Sequence, residues 1–179
     1  IRAAFQQARE DGVTVLEIGE DVWGLKEFFN NDIDELVNAF TSAQKEIASD
    51  MELRLQIGLS RHCPISYLED CLSHFWGNKN FYSIDLYGDE LAQPIENFKG
   101  IYRRAKKEGL RLKAHVGEWG TAKDVRTAVE ELELDEVQHG IAAADDESVI
   151  RFLADNKIRL NITPTSNILL GRVADMSVH

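Results

Sequence analysis

Two histidines and a glutamate, each close to a glycine, are the residues of this chain whose types and spacing could do chemistry. His115-Val116-Gly117-Glu118 ends one apolar run, and Glu136-Val137-Gln138-His139-Gly140 ends the next. A neutral imidazole serves as metal ligand or general base, and a carboxyl close by can carry a proton. Glycine at a strand's end lets the backbone turn tightly, which projects a neighbouring side chain into the mouth of an α/β fold, where sites are built. Taken singly, a histidine in a strand is more often a packed, hydrogen-bonded residue than a ligand. Two of them at successive strand ends reverse that weighting.

Such ends require strands, and the chain supplies them in alternation with helices. Ile1 to Arg9 reads as the tail of an amphipathic helix. Val13 to Ile18, bounded by Gly12 and Gly19, is β-branched and apolar and predicts a strand. A helix from Asp32 or Asp34 to Ser49 follows, then a strand over Leu53 to Leu59. Pro64 opens a helix through Trp76, since proline fits a first helical turn. Phe81 to Leu86 is the next strand, and a helix from Pro94 is stopped by Gly109. Leu110 to Val116 is a strand, Thr121 and Asp124 form a capping-box-like pair for the next helix, and Glu136 to His139 is another strand. Asp145 or Asp146 caps a further helix before a strand over Arg159 to Ile162.

Repeated strand-helix units predict a parallel sheet with helices outside, either doubly wound or a (β/α)8 TIM barrel. No GxGxxG or GxxxxGK[ST] stretch occurs, so the nucleotide-binding doubly wound fold loses support. Polar residues end nearly every strand, at Glu17, Arg61-His62, Asp85, Gly88-Asp89, His115-Glu118, His139 and Ser166-Asn167. Chemistry distributed over strand ends is the habit of the barrel.

With 179 residues, of which 44% are hydrophobic, the chain suits one domain over 1–179 with a sizeable core. Its net charge of −11 repels phosphate backbones and anionic lipid, which argues against nucleic-acid and membrane partners and for a small molecule. Cys63 and Cys71 form no CxxC pattern and no signal-peptide-like leader is present, so a reduced, cytoplasmic setting is expected and a disulfide is disfavoured. No apolar run approaches the about 18 residues of a membrane span.

Asp85-Leu86-Tyr87-Gly88-Asp89-Glu90, His115-Val116-Gly117-Glu118, His139-Gly140 and Pro164-Thr165-Ser166-Asn167, in that order and at strand ends, resemble the adenosine deaminase family of the amidohydrolase superfamily. The likeness covers essentially the whole chain; its motifs lie in the second half, and strand-helix order alone matches in the first. It implies a (β/α)8 barrel of the metal-dependent hydrolase type and a zinc-dependent hydrolytic deaminase, one Zn2+ per complete site, acting on a purine nucleoside: adenosine to inosine and ammonia. In that resemblance His115 matches the metal-binding histidine and Glu118 the shuttle that protonates the purine ring nitrogen and relays the water proton toward the leaving amine. His139 matches the histidine that orients the attacking hydroxide. Gly88 matches the glycine whose backbone approaches the purine. Asp85, Asp89 and Glu90 would brace that glycine's loop, and Ser166 and Asn167 would organise their turn through bonds to the backbone.

The family's HxH pair on its first strand and its acidic pair on the eighth have no match here. The expectation is therefore about six β/α units, the first strand matching the family's second: an excerpt of a longer enzyme, incomplete at the metal and inactive alone. Three further readings compete. Tyr87, where the family often has a smaller residue, would reshape the pocket toward adenine or another aminopurine. A degenerate barrel used for binding or assembly would explain the absent ligands. An amidohydrolase acting on an amide or ester is a third, against which the order of Glu118 and His139 argues. Among the remaining candidates, His62 is expected near the same mouth or at the surface and His74 on a helix. Trp23, Phe28 and Phe29 could roof an aromatic base.

Overall fold

The computed structural model describes residues 1–179. Eight helices and six strands alternate, and the strand order in the sheet follows the chain, β1-β2-β3-β4-β5-β6. The chain clusters into two compact units, residues 1–59 with 64–83, and residues 60–63 with 84–179.

The first unit carries α1 (Arg2–Glu10), β1 (Val15–Asp21), α2 (Gly24–Phe29), α3 (Ile33–Ile47), most of β2 (Glu52–Ser60), α4 (Ile65–Leu72) and the start of β3 (Phe81–Tyr87). β1 and β2 run parallel, Val15 opposite Glu52 through Asp21 opposite Gly58. β1 does not stop at Gly19 as the sequence suggests. A Cβ there would lie 1.8 Å from the Gln56 carbonyl oxygen, so this glycine permits close strand approach rather than ending the strand. α3 begins at Asp32, whose carboxylate accepts from the amides of Asp34 and Glu35 at 3.0 and 2.9 Å, and it buries Leu36, Val37, Phe40 and Ala43. α4 is shorter than the expected run to Trp76. The Ser73 hydroxyl turns back to donate to the Asp70 carbonyl at 2.6 Å, a local bond that competes with helix continuation.

The second unit holds the rest of β3 and then α5 (Lys99–Glu108), β4 (Arg111–Val116), α6 (Ala122–Leu132), β5 (Glu136–His139), α7 (Glu147–Asp155), β6 (Arg159–Asn161) and α8 (Pro164–Leu169). Pro94 opens a 3-10 turn over Ile95–Phe98 before α5, and Gly109 ends α5 with φ +85°. The Thr121–Asp124 capping box forms as the sequence predicts, as does the Asp146 cap of α7. β4, β5 and β6 pair in parallel, with Lys113 opposite Glu136, His115 opposite Gln138 and Glu136 opposite Arg159.

Alternation along β4 sends Leu112, Ala114 and Val116 into the apolar core against α5 and α6, and Arg111, Lys113 and His115 to the other face. That second face is charged. Buried Glu136 takes Arg111 at 3.0 Å and Lys113 at 3.5 Å, and its carboxylate also accepts from the Asn161 amide at 3.0 Å. The buried Tyr102 hydroxyl donates to the Lys113 carbonyl, tying α5 to β4.

Candidate active site

β4 delivers His115 at its end, half-buried, and β3 delivers Asp85, which is buried. Asp85 Oδ1 lies 3.3 Å from His115 Nδ1. Burial pushes the His115 imidazolium down, but the hydrogen bond and charge of Asp85, helped by the charge of Glu118, outweigh it and leave the histidine above its ordinary value. A carboxylate on one imidazole nitrogen fixes the ring and leaves Nε2 to a metal, the arrangement found behind metal-bound histidines generally. The Tyr87 ring stands edge-on to His115, centroids 5.9 Å apart.

His139 ends β5, and strict alternation would put it on the Val137 side of the sheet. Its backbone instead takes φ +64°, followed by Gly140 at φ +67°, which breaks the extended geometry and brings the ring to a centroid distance of 5.4 Å from His115. Around Nδ1 sit the Thr163 hydroxyl at 2.9 Å, the Asn167 amide at 3.2 Å and Glu118 Oε1 at 3.5 Å. Burial, reinforced by the neighbouring His115, holds the His139 imidazole below its usual pKa against the pull of Glu118.

Glu118 follows Gly117, whose φ is +73°. A Cβ at Gly117 would lie 2.4 Å from Val125 Cγ2, so both conformation and packing require glycine there. The Glu118 side chain is 12% exposed and its Oε1 is buried with no hydrogen-bond partner. From the segment after α8, Arg172 donates to the Glu118 carbonyl and sets its guanidinium 5.2 Å from the Trp119 ring. The structure thus brings His115, Glu118 and His139 together, as their spacing suggests.

Other expectations fare differently. Gly88 has φ +93°, and a Cβ there would meet His62 Nδ1 at 3.4 Å, which places the exposed His62 beside it. Asp85, expected as a loop brace, partners His115. Asn167, expected to bond backbone, is fully buried on α8 and bridges the His139 and His179 rings. Thr163 drew no attention in the sequence. His74 falls in the turn beyond α4 and is exposed. Trp23 and Phe28 contact each other across 6.1 Å in the first unit, Trp23 at the start of helix α2 and Phe28 within it. Cys63 and Cys71 are free thiols. No helix is long and apolar enough to cross a membrane.

The donor chemistry of His115 fits a divalent metal. No group of three or more His, Cys, Asp or Glu side chains is arranged to hold one.

Alternating strands and helices, with an imidazole beside a carboxylate and a second histidine facing an acid at successive strand ends, match six β/α units of a (β/α)8 barrel of the metal-dependent hydrolase type. The chain belongs to the adenosine deaminase family, whose profile matches residues 1–179. A protein of Treponema pallidum provisionally named an adenosine/adenine deaminase is 37% identical over 176 residues, covering 98% of this chain and 58% of that protein. The crystal structure of adenine deaminase from Arthrobacter aurescens superimposes with a TM-score of 0.83 at 25% identity, over 99% of this chain and 55% of that one. A zinc-bound amidohydrolase from Burkholderia ambifaria shares the fold with a TM-score of 0.78 at 23% identity, over 93% of this chain and 48% of that one. The chain therefore spans about half the length of the relatives it matches.

Proposed function

We propose that the full-length protein is a zinc-dependent hydrolase that removes the amino group of a 6-aminopurine, releasing ammonia from adenosine or from adenine. The observation that carries this reading is Glu118 Oε1, buried without a hydrogen-bond partner and 3.5 Å from His139 Nδ1. Leaving a carboxylate oxygen dry and unpaired costs free energy. A substrate ring nitrogen seeking a proton is the partner that offsets it.

Zinc, when bound, acidifies water and so supplies a nucleophile near neutral pH. His115 would hold it through Nε2, oriented by Asp85, and the remaining ligands would come from residues outside these 179. Glu118 in its acid form protonates the ring nitrogen beside the carbon under attack, and the carboxylate so formed takes the proton of the attacking water and passes it to the departing amine. His139, kept neutral by burial, orients the attacking oxygen and stabilises charge on it. Gly88 would let the backbone approach the purine, at a φ of +93° that residues with a side chain rarely adopt.

Two observations bear on substrate. The relatives carry the names of adenosine and adenine deaminases. Tyr87, standing edge-on to His115, narrows the space beside the ligand histidine and favours the free base.

The test is an ammonia-release screen over adenosine, adenine and related aminopurines with the zinc-loaded full-length protein. Release from at least one is expected, and its absence from all of them overturns the reading. Glu118→Gln should retain zinc and lose turnover by about 100-fold or more. If that variant keeps most of its activity, the proton relay belongs to another residue.

A further inference from the structure

The loop that carries Glu118 is held from below by a buried carboxylate. Glu90 is 5% exposed, and its two oxygens take three consecutive backbone amides: Gly117 donates to Oε1 at 2.6 Å, and Glu118 and Trp119 donate to Oε2 at 3.1 and 2.7 Å. Successive amides pointing into one concavity form an anion nest, and here the anion is a side chain of the same chain. Gly120 leaves room for it, since a Cβ there would lie 2.6 Å from Glu90 Oε1. The amide of Glu118 itself is one of the three. The carboxylate therefore fixes the backbone from which the proton-carrying side chain springs.

We infer that Glu90 is a positioning residue for Glu118, acting through the 117–119 amides and touching neither substrate nor metal. This rests on the proposed deaminase reading. Its logic is geometric. A shuttle must hold its oxygen within hydrogen-bond reach of the atom it protonates, and a displacement of about 1 Å costs on the order of 100-fold in rate. A glutamine at this position cannot replace the carboxylate: one of its two terminal atoms is an NH2 donor, so whichever way it turns at least one of the three amides faces a donor.

Two variants of the full-length enzyme test the inference by different routes. Glu90→Gln removes one acceptor. Gly120→Ala keeps the charge but crowds Glu90 Oε1 at 2.6 Å, and less tightly the capping Asp124 Oδ2 at 3.0 Å, and Gly120 has no positive φ to make alanine strained. Each should lower kcat by about 10–100-fold with KM and bound zinc unchanged, and should speed hydrogen exchange at the 117–119 amides. Combined with Glu118→Gln, neither should slow the reaction further, because the group being positioned is already gone. Wild-type kcat in both single variants, or an equal slowing in the Glu118→Gln background, overturns the inference while leaving the deaminase reading intact. A fully active Glu118→Gln protein takes the proton relay away from Glu118 and overturns this inference, whereas only the absence of ammonia release from every aminopurine overturns the deaminase reading itself.

Discussion

At the scale of single residues, each of the two histidines has neighbours that fix its ring. Asp85 does this for His115, and Thr163 with Asn167 does it for His139. Replacing Asp85 with Asn should keep the fold and lower zinc affinity by about 10–100-fold, measured by chelator competition, because partners behind metal-bound histidines carry that much. Unchanged affinity would mean that His115 is oriented by something else. Tyr87 offers a second test. If its ring excludes the sugar, Tyr87→Ala should raise the ratio of kcat/KM for adenosine over adenine by about 10-fold or more, the scale on which pocket volume discriminates. A constant ratio would remove Tyr87 from specificity. His115, Glu118 and His139 were legible in the sequence because their types are rare in strands and glycines mark the turns beside them. The roles of Asp85, Thr163 and Asn167 were not, because which side chains meet across strand ends depends on register. The rotation of His139 to φ +64° leaves its mark only in the glycine that follows.

At the scale of elements, β4 and β5 carry charge on the face opposite their apolar residues. β4 and β5 show their helix-facing side plainly, through Leu112, Ala114, Val116 and Val137. Their other face holds Glu136 among Arg111, Lys113, Arg159 and Asn161. Helix caps at Asp32, Thr121 and Asp146 were readable because a cap is a local contact. The length of β1 was not, because what Gly19 permits is the approach of a different strand. Burial pushes the Glu136 carboxyl up, but the Asn161 and Arg111 hydrogen bonds and the charges of Lys113 and Arg159 overcome it, and the group sits below its ordinary value of 4.5. A depressed carboxyl contributes stability that is complete above the unfolded value and is lost as pH falls through the folded one. Urea unfolding from pH 7 into acid should therefore show a loss below about pH 4.5 that Glu136→Gln reduces. At pH 7, Glu136→Ala should cost about 1–3 kcal/mol, since it leaves the buried Lys113 without its anion while the partly exposed Arg111 and Arg159 lose only a solvent-screened partner. A variant as stable as the parent at both ends of that range would show that the network contributes nothing net.

At the scale of the whole molecule, what remains is how a site built from these strand ends becomes a metal centre. His115, Glu118 and His139 are brought together here, yet no three or more side chains able to hold a metal are. A catalytic zinc site takes about three protein ligands and one open position. The full-length protein should therefore couple metal to stability through His115 and couple metal to turnover through Glu118, two separable properties. A ligand that binds only the folded state adds about 2.7 kcal/mol when present at 100 times its Kd. Stripping zinc with a chelator should lower Tm and abolish ammonia release, and restoring zinc should recover both. Glu118→Gln should keep the Tm response without the release, whereas His115→Ala should lose the Tm response altogether. A His115→Ala protein whose Tm still rises with zinc to the same extent would remove that histidine from the ligand set. A parent protein whose Tm ignores zinc would instead favour a barrel that binds a purine without chemistry.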